Sequence, residues 1–156
     1  MIYIGSDHAG YELKEKLKNY IKEELHREID DKGAFTLNGV DDYPDFIKPV
    51  ALAVAQDSNN FGIVIGASGE GEAICANKIK GIRAIVYYGG RKKQKDVSGK
   101  KINIIESSRL HNNANILSLG ARFLSDKKAQ KAVKLFLETP FSNDERHIRR
   151  INKLED

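Results

Sequence analysis

The order of apolar and polar residues along the chain predicts five strands that alternate with helices. After the short run "IYIGSD", apolar residues from Leu13 to Leu25 recur every four positions, which is the spacing of an amphipathic helix. Further strands are predicted at "REIDDKG", "FGIVIGA", "GIRAIVYY" and "NILSLGA". Further helices are predicted at "FIKPVALAVAQD", "GEAICANKIK", "ESSRLHNNA", "SDKKAQKAVKLFLETP" and "NDERHIRRINKLED".

This alternation is typical of an α/β fold, in which helices cover a mostly parallel sheet. The run "FGIVIGA" is almost continuously apolar, as is usual for a strand that is buried on both faces. We therefore predict an α/β sandwich around a mostly parallel five-stranded sheet, with residues 1–156 as a single domain. Residues 41–45, "DDYPD", are predicted as a turn, and Pro49 is expected in the first turn of the next helix, where its missing N–H costs little.

Composition narrows the class of protein. Of the 156 residues, 40% are hydrophobic and 31% are charged, and no run approaches the roughly 18 apolar residues that a membrane span needs. A single cysteine, Cys75, can form neither an internal disulfide nor a thiolate metal cluster, which agrees with a reducing compartment. Because the N-terminus shows no secretory pattern either, we expect a cytoplasmic protein without a membrane partner.

The distribution of charge bears on the partner. The formal net charge is +4, and basic residues are concentrated in "GGRKKQKDVSGKK" and "RHIRRINK". Such patches suit either nucleic acid or a small phosphorylated compound. The sequence lacks zinc-finger spacing and an aromatic-rich RNA-binding strand, so we expect a phosphorylated small molecule and no nucleic acid.

Three polar clusters follow the ends of predicted strands or helices. They are "GSDHAG" at residues 5–10, "GASGEGE" at 66–72 and "HNNAN" at 111–115. Ligands of parallel α/β sheets bind beyond the carboxyl ends of the strands, so the clusters are expected to converge on one crevice. For any one cluster alone, the alternative is an ordinary turn rich in Gly, Asn and Asp.

The glycine-rich loop at residues 66–72 lacks the signatures of common nucleotide and hydrolase loops. Ile74 stands where a dinucleotide-binding loop needs glycine or alanine, and the Gly-Lys-Ser/Thr ending of a P-loop is absent. Ser68 is not followed two residues later by glycine, and the chain has no His-Glu-x-x-His motif. We therefore expect no dinucleotide here, and a loop whose backbone N–H groups hold an oxyanion.

Two carboxylates lie beside this loop, where an anion is expected to bind. Proton abstraction next to a carbonyl group requires such a pairing, with a base for the C–H and N–H donors for the enediolate oxygen. Glu70 and Glu72 are about 200° apart around a helix, so only one can face the substrate, and Glu72 is the predicted base. The alternative is that both glutamates only stabilise the first turn of the helix.

Several stretches together resemble a known family. "IGSDHAGYELKEKLKNYI", "DYPD", "GIVIGASGEGEAICANKIKGIRA", "HNNANILSLGAR" and "ERHIRRI" are similar, in this order and over nearly the whole chain, to the ribose-5-phosphate isomerase B / galactose-6-phosphate isomerase family. The resemblance implies a Rossmann-like three-layer α/β sandwich that assembles as a homodimer or a dimer of dimers. It also implies an aldose–ketose isomerase that acts on phosphorylated sugars without metal or nucleotide.

The resemblance further implies roles for individual residues. Members of the family use as base either a cysteine at the end of the third strand or a glutamate a few residues later, and this chain has Gly66 at the first position and Glu72 at the second. His111, with Asp7, is expected to open the sugar ring. The implied catalytic residues are Glu72, His111 and Asp7, and the implied substrate-binding residues are His8, Tyr43, Ala67, Ser68, Gly69, Glu70, Gly71, Asn112, Arg122, Arg146 and Arg150.

Phosphate binding is assigned by the resemblance to Arg122, Arg146 and Arg150. Arg146 and Arg150 lie one helical turn apart, and guanidinium groups bind phosphate through paired hydrogen bonds. Sites of the family are shared between two subunits, so His111 and Asn112 are expected to serve a site whose base comes from the partner subunit.

The predicted function is the interconversion of ribose 5-phosphate and ribulose 5-phosphate through an enediolate. An isomerase of a hexose 6-phosphate, such as allose or galactose 6-phosphate, and a non-catalytic sugar-phosphate sensor remain alternatives. Residues 89–106, six of which are Lys or Arg, form a longer segment than the family usually has, and we expect a lid, an oligomer contact or a disordered loop there. Ala67 and Glu70 also depart from the residues usual in the family, which leaves the preferred sugar open.

Overall fold

The structure is a computed structural model, and it describes residues 1–90 and 92–154. The strands are β1 (Ile2–Ser6), β2 (Ile29–Asp31), β3 (Phe61–Gly66), β4 (Ala84–Tyr87), β5 (Gln94–Lys95), β6 (Lys101–Ile102) and β7 (Ile116–Gly120). The helices are α1 (Tyr11–Glu23), α2 (Pro44–Ala55), α3 (Glu70–Ala76), α4 (Ile104–Asn112), α5 (Asp126–Glu138) and α6 (Glu145–Asn152).

Five strands form one parallel sheet in the order β2-β1-β3-β7-β4. Ile63 of β3 lies opposite Ile4 of β1 on one side and Leu117 of β7 on the other. The prediction of an α/β fold with a mostly parallel five-stranded sheet is confirmed. Counted along the chain, the order 2-1-3-5-4 differs from the dinucleotide-binding order 3-2-1-4-5, and its winding reverses beside β1 and β3. A ligand crevice is therefore expected at the carboxyl ends of these two strands.

Apolar residues of the strands supply the core on both faces of the sheet. Ile63 and Ile65 of β3 pack towards α1, α4 and α5, whereas Val64 between them packs towards α2 and α3. All three side chains are fully buried, and each such burial contributes about 1.5–3 kcal/mol to folding. The sheet is thus the middle of three layers.

Helix α2 begins earlier than predicted. Pro44 occupies its first turn, so the predicted turn at 41–45 ends in helix, and Pro49 lies inside the helix rather than in its first turn. Pro44 can begin the helix because the first N–H groups of a helix have no intrahelical partner in any case.

Helix α3 ends earlier than predicted, at Ala76. The side chain of Asn77 turns towards β4, where Oδ1 accepts from the N–H of Ala84 at 2.8 Å and Nδ2 donates to its carbonyl at 3.0 Å. These two bonds anchor the chain between α3 and β4.

The segment 89–106 contains an antiparallel hairpin of β5 and β6, followed directly by α4. A capping box formed by Asn103 and Glu106 begins α4 at Ile104, two residues before the predicted start. Arg91 of the basic segment, and residues 155 and 156 of the predicted last helix, lie outside the described residues. Within residues 1–90 and 92–154, no helix has the length and apolar character needed to span a bilayer.

Candidate active site

The loop after β1 carries the first predicted site residue, Asp7. Its side chain is buried, and Oδ1 accepts a hydrogen bond of 3.1 Å from the N–H of Gly10, at the beginning of α1. Gly10 lies so close to β3 that a β-carbon there would overlap the carbonyl of Ile65. This close approach holds the loop against the carboxyl end of β3.

His8 is held by Asp41, a residue that the sequence analysis does not single out. The backbone N–H of His8 donates to Asp41 Oδ1 at 3.1 Å, and His8 Nδ1 lies 2.6 Å from the same oxygen. This hydrogen bond raises the pKa of His8, against smaller opposing effects of burial and of the positive charge of Arg122. His8 and Arg122 are therefore close enough to interact electrostatically, and both can offer positive charge to an anion.

The glycine-rich loop follows β3 and leads into α3. Gly69 has a φ of 84°, which glycine adopts without steric cost, and its carbonyl accepts from Ser118 Oγ at 2.6 Å. The N–H of Arg122 donates to the carbonyl of Ala67 at 3.1 Å, and the N–H of Glu70 donates to Ser68 Oγ at 3.3 Å. The loop is thus fixed to the end of β7.

The two carboxylates of the loop lie in different surroundings, as their helical spacing predicts. Glu70 is exposed, whereas Glu72 is only 4% exposed. The carboxylate of Glu72 lies over Gly66, and a β-carbon at position 66 would overlap it. Burial raises the pKa of Glu72, and the negative charge of Asp7 adds to the increase although a backbone hydrogen bond opposes it. A carboxylate with a raised pKa is better matched to taking a proton from carbon near neutral pH.

Tyr43 completes the surroundings of this carboxylate. It precedes α2, and its ring lies against the loop, so that a β-carbon at Gly71 would be 3.1 Å from Tyr43 Cζ. Residues from three loops therefore meet at the carboxyl ends of β1, β3 and β7.

The remaining predicted residues form a second group, at the end of α4 and on α6. The imidazole of His111 stacks on that of His147, with ring centroids 4.6 Å apart and planes at 15°. His147 is buried, and burial followed by the charge of His111 lowers its pKa. Arg146 is half-buried and pairs with Asp144 at 3.3 Å. Asn112 and Arg150 are exposed.

The expectation that all three polar clusters converge on one crevice within a chain is wrong. Residues 111–115 immediately precede β7, at its amino end, whereas Asp7 and Glu72 lie beyond the carboxyl ends of β1 and β3. Since the sheet is parallel, these positions are at opposite edges. Among the described residues, no hydrogen bond or ion pair joins the two groups.

Sequence reasoning misses several residues that support the site. Asp41 is the first residue of the predicted turn and His147 is adjacent to a predicted arginine, but neither has a spacing that reveals its partner. Ser118, which holds Gly69, is the polar residue inside the apolar run "NILSLGA", and this interruption is a readable signal.

Two further features of the molecule have the chemistry or the volume of a ligand site. Asp7, His8 and Asp41 offer ligand atoms within 4.8 Å of one another, which a metal ion could use. His8 Nδ1 and Asp41 Oδ1 are already bonded to each other, whereas Asp41 Oδ2 is buried and has no hydrogen-bond partner among the described residues. A cavity of about 820 Å³ lies between β4, the segment 89–106, α4 and α5. No predicted site residue lines this cavity, so the cavity is separate from the group of titratable residues around Glu72.

The fold and these residues define a class of α/β protein suited to acid–base chemistry on a small anionic compound. A buried carboxylate, a glycine-rich loop and a histidine with a raised pKa beside an arginine lie together at the carboxyl edge of the sheet.

Comparison with known proteins identifies the family. The family model described as Ribose/Galactose Isomerase matches residues 2–154, so the chain belongs to this family. Ribose-5-phosphate isomerase B of Mycolicibacterium paratuberculosis is 36% identical over 155 residues, which are 99% of this chain and 89% of that protein.

Solved structures agree with this assignment. The ribose-5-phosphate isomerase B of Mycoplasma genitalium with bound ribulose-5-phosphate has a TM-score of 0.84 and 34% identity, covering 98% of this chain and 92% of that one. The corresponding protein of Thermotoga maritima has a TM-score of 0.82 and 39% identity, covering 99% and 96%.

Proposed function

We propose that this protein interconverts ribose 5-phosphate and ribulose 5-phosphate through an enediolate, with Glu72 as the base. The observation that carries the proposal is the buried carboxylate of Glu72 against Gly66, at the head of the glycine-rich loop. The substrate is taken from the relatives, whose names state ribose 5-phosphate isomerisation, and from the neighbour with bound ribulose-5-phosphate.

The chemistry requires a ring-opening step and then a proton transfer between neighbouring carbons. His111, with Asp7, opens the furanose by protonating the ring oxygen while the C1 hydroxyl loses its proton. Glu72 removes the C2 proton, and the negative charge moves to O1, where N–H groups of residues 67–71 hold it. A proton passes from O2 to O1, and Glu72 returns its proton to C1, which leaves the ketone at C2.

The phosphate group is assigned to His8 and Arg122 of one subunit and to Arg146 and Arg150 of the other. His8 is suited to this task because Asp41 favours its charged form. Arg146 and Arg150 are one helical turn apart on α6 and present two planar donors on one side of the helix.

We further propose a homodimer, or a dimer of dimers, whose sites are shared between subunits. The support is topological, because His111 and Glu72 belong to opposite edges of the parallel sheet and cannot both face one ligand within a chain. The proposed location is the cytoplasm, with pentose phosphate metabolism as the context.

The test is the turnover of ribose 5-phosphate, allose 6-phosphate and galactose 6-phosphate by the purified protein and by Glu72→Gln. We expect ribose 5-phosphate to be preferred and Glu72→Gln to lower kcat by about 10²–10⁴-fold, because a positioned base contributes that much. Ribulose 5-phosphate should still bind to the variant, since the amide has almost the same shape as the carboxylate.

The matched control is Glu70→Gln, which removes the exposed carboxylate of the same loop but keeps the backbone N–H through which residue 70 is proposed to bind, and it should retain most of the activity. Wild-type turnover by Glu72→Gln contradicts the assignment of the base. Binding of all three sugars without turnover by the wild type identifies a sensor, and faster turnover of a hexose phosphate identifies the other substrate class.

A further inference from the structure

We propose that the hairpin of β5 and β6 positions His111, because Gln94 orients the Ser107 hydroxyl and this hydroxyl selects the tautomer of the imidazole. This inference rests on the proposed role of His111 in ring opening. It assigns a task to the segment 89–106, which the reaction itself leaves without one.

The hairpin is joined to α4 on the side that carries His111. Gln94 Nε2 donates to Ser107 Oγ at 2.6 Å, and Ser107 Oγ lies 3.4 Å from His111 Nδ1. Ser107 and His111 are four residues apart in α4, so both side chains lie on one face of the helix. Ser107 is only 8% exposed, so little water can compete with these two neighbours for its hydroxyl.

The direction of these hydrogen bonds determines which nitrogen of His111 carries the proton. A serine hydroxyl has one hydrogen, and the amide N–H of Gln94 occupies a lone pair of its oxygen. The hydroxyl hydrogen can therefore be directed at Nδ1, which must then be the unprotonated nitrogen of a neutral imidazole. The other nitrogen, Nε2, carries the hydrogen and is the atom that can donate it to the sugar ring oxygen.

Other groups restrict the same ring. His147 stacks on its face, so the imidazole is held at Nδ1 by Ser107 and across its plane by a second ring. Asp96, in the turn of the hairpin, lies within the electrostatic reach of His111: hydrogen bonds from Ser98 lower the pKa of Asp96 most, and His111 acts in the same direction. The turn of the hairpin therefore contributes negative charge to the electrostatic surroundings of the imidazole.

The decisive variant is Gln94→Glu, which keeps the shape of the side chain but replaces its N–H donor by an acceptor. The carboxylate takes the hydroxyl hydrogen of Ser107, so Ser107 offers a lone pair to Nδ1 and favours the tautomer with hydrogen on Nδ1. We expect kcat for ribose 5-phosphate to fall at least about tenfold, with KM nearly unchanged. The ¹⁵N chemical shifts of the His111 ring should report the exchange of tautomers.

Ribulose 5-phosphate separates ring opening from proton transfer. Its O5 carries the phosphate, so the ketose stays open, and the uptake of deuterium at its C1 from D₂O requires only the base. In Gln94→Glu this exchange should keep its wild-type rate while the isomerisation of ribose 5-phosphate slows. Ser107→Ala removes the hydroxyl between Gln94 and His111 without adding charge. This variant should also slow isomerisation and leave deuterium exchange unchanged, which keeps the test valid if Gln94→Glu disturbs the hairpin.

The matched control is Gln56→Glu, the same chemical change at the exposed residue that follows α2, which should leave both rates unaltered. Unchanged isomerisation in Gln94→Glu and Ser107→Ala overturns the inference, as does an equal loss of isomerisation and exchange. If the wild type does not convert ribose 5-phosphate, the proposed function fails instead, and the ¹⁵N shifts still decide whether Gln94 sets the tautomer.

Discussion

Gly66 and Glu72 compete for one small volume at the end of β3, next to Asp7 and the glycine-rich loop. The carboxylate of Glu72 takes the place that a β-carbon on residue 66 would fill. A basic side chain on residue 66 would overlap the carboxylate of Glu72, so this volume has room for a base from only one of the two positions. The absence of a side chain at position 66 is what allows the Glu72 carboxylate to be buried at this place.

Gly66→Ala tests this competition. The added methyl group would displace the end of a flexible side chain rather than backbone, so we expect the fold to survive with a stability loss below about 1 kcal/mol. A base moved by about 1 Å should lose roughly 10²-fold in kcat. Gly39→Ala is the control, because a β-carbon there meets no other atom within 4 Å. Wild-type kcat in Gly66→Ala would show that the carboxylate does not need this position.

At the scale of elements, a buried ion-pair network joins α1 to β2 beneath the loop that supports the site. Lys14 is fully buried, and its Nζ lies 2.7 Å from Asp31 Oδ2 and 3.0 Å from Glu15 Oε1. Asp31 also accepts from Lys18 at 2.6 Å and from the N–H of Gly33 at 3.0 Å. The carbonyl of Gly33 in turn accepts a hydrogen bond from the N–H of Ser6, so the network fixes the carboxyl end of β1.

Lys14→Met should reveal the strength of this network. The variant leaves a largely buried carboxylate with one partner fewer, so we expect the free energy of unfolding in urea to fall by about 1–3 kcal/mol. The matched control is Lys16→Met on the same helix, which breaks an exposed pair with Asp126 and should cost at most about 1 kcal/mol. Equal losses in the two variants would contradict the role of burial.

The loss in Lys14→Met should also depend on pH. Burial alone would raise the pKa of Asp31, but the hydrogen bonds from Lys14 and Lys18 outweigh it and lower this pKa. A lowered pKa in the folded protein stabilises the fold above the pKa of the unfolded chain, and this contribution disappears as pH falls through the folded value. The difference between wild type and variant should therefore shrink in acid.

Elements with a strong hydrophobic period could be predicted from the sequence, and elements set by single polar contacts could not. Four strands of the sheet follow from apolar runs such as "FGIVIGA". The remaining sheet strand, β2, has the mostly polar sequence "IDD" and gives only a weak signal, and β5 and β6 have two residues each and no period. Their turn is made by Asp96, whose Oδ1 accepts from the N–H groups of Ser98 and Lys100. The sequence "DVSG" is a readable turn signal, as is the capping box of Asn103 and Glu106.

The candidate site also has a part that could be predicted from the sequence and a part that could not. The loop residues Asp7 and Glu72 meet because both follow strand ends, which the order of elements already predicts. The contacts of His8 with Asp41 and of His111 with Ser107 depend on how distant segments pack or on one side-chain rotamer. Neither leaves a pattern that a single sequence can reveal.

At the scale of the whole molecule, the parallel sheet places the two halves of the proposed site on opposite edges. Glu72, with His8 and Arg122, lies at the carboxyl edge, and His111 precedes β7 at the amino edge. In the proposed homodimer, the half-site of each subunit that contains Glu72 would lie against the half-site of the other that contains His111, which would yield two equivalent sites. Activity should therefore depend on protein concentration wherever the dimer dissociates.

Mixing two inactive variants tests this arrangement directly. In a heterodimer of Glu72→Gln and His111→Asn chains, one shared site contains both substitutions and the other contains neither. Random reassociation gives about half heterodimers with one intact site each, so we expect about a quarter of the wild-type activity to return. Each variant alone, unfolded and refolded in the same way, serves as control and should stay inactive. If each site were built within one chain, every site in the mixture would carry one substitution, and no activity would reappear.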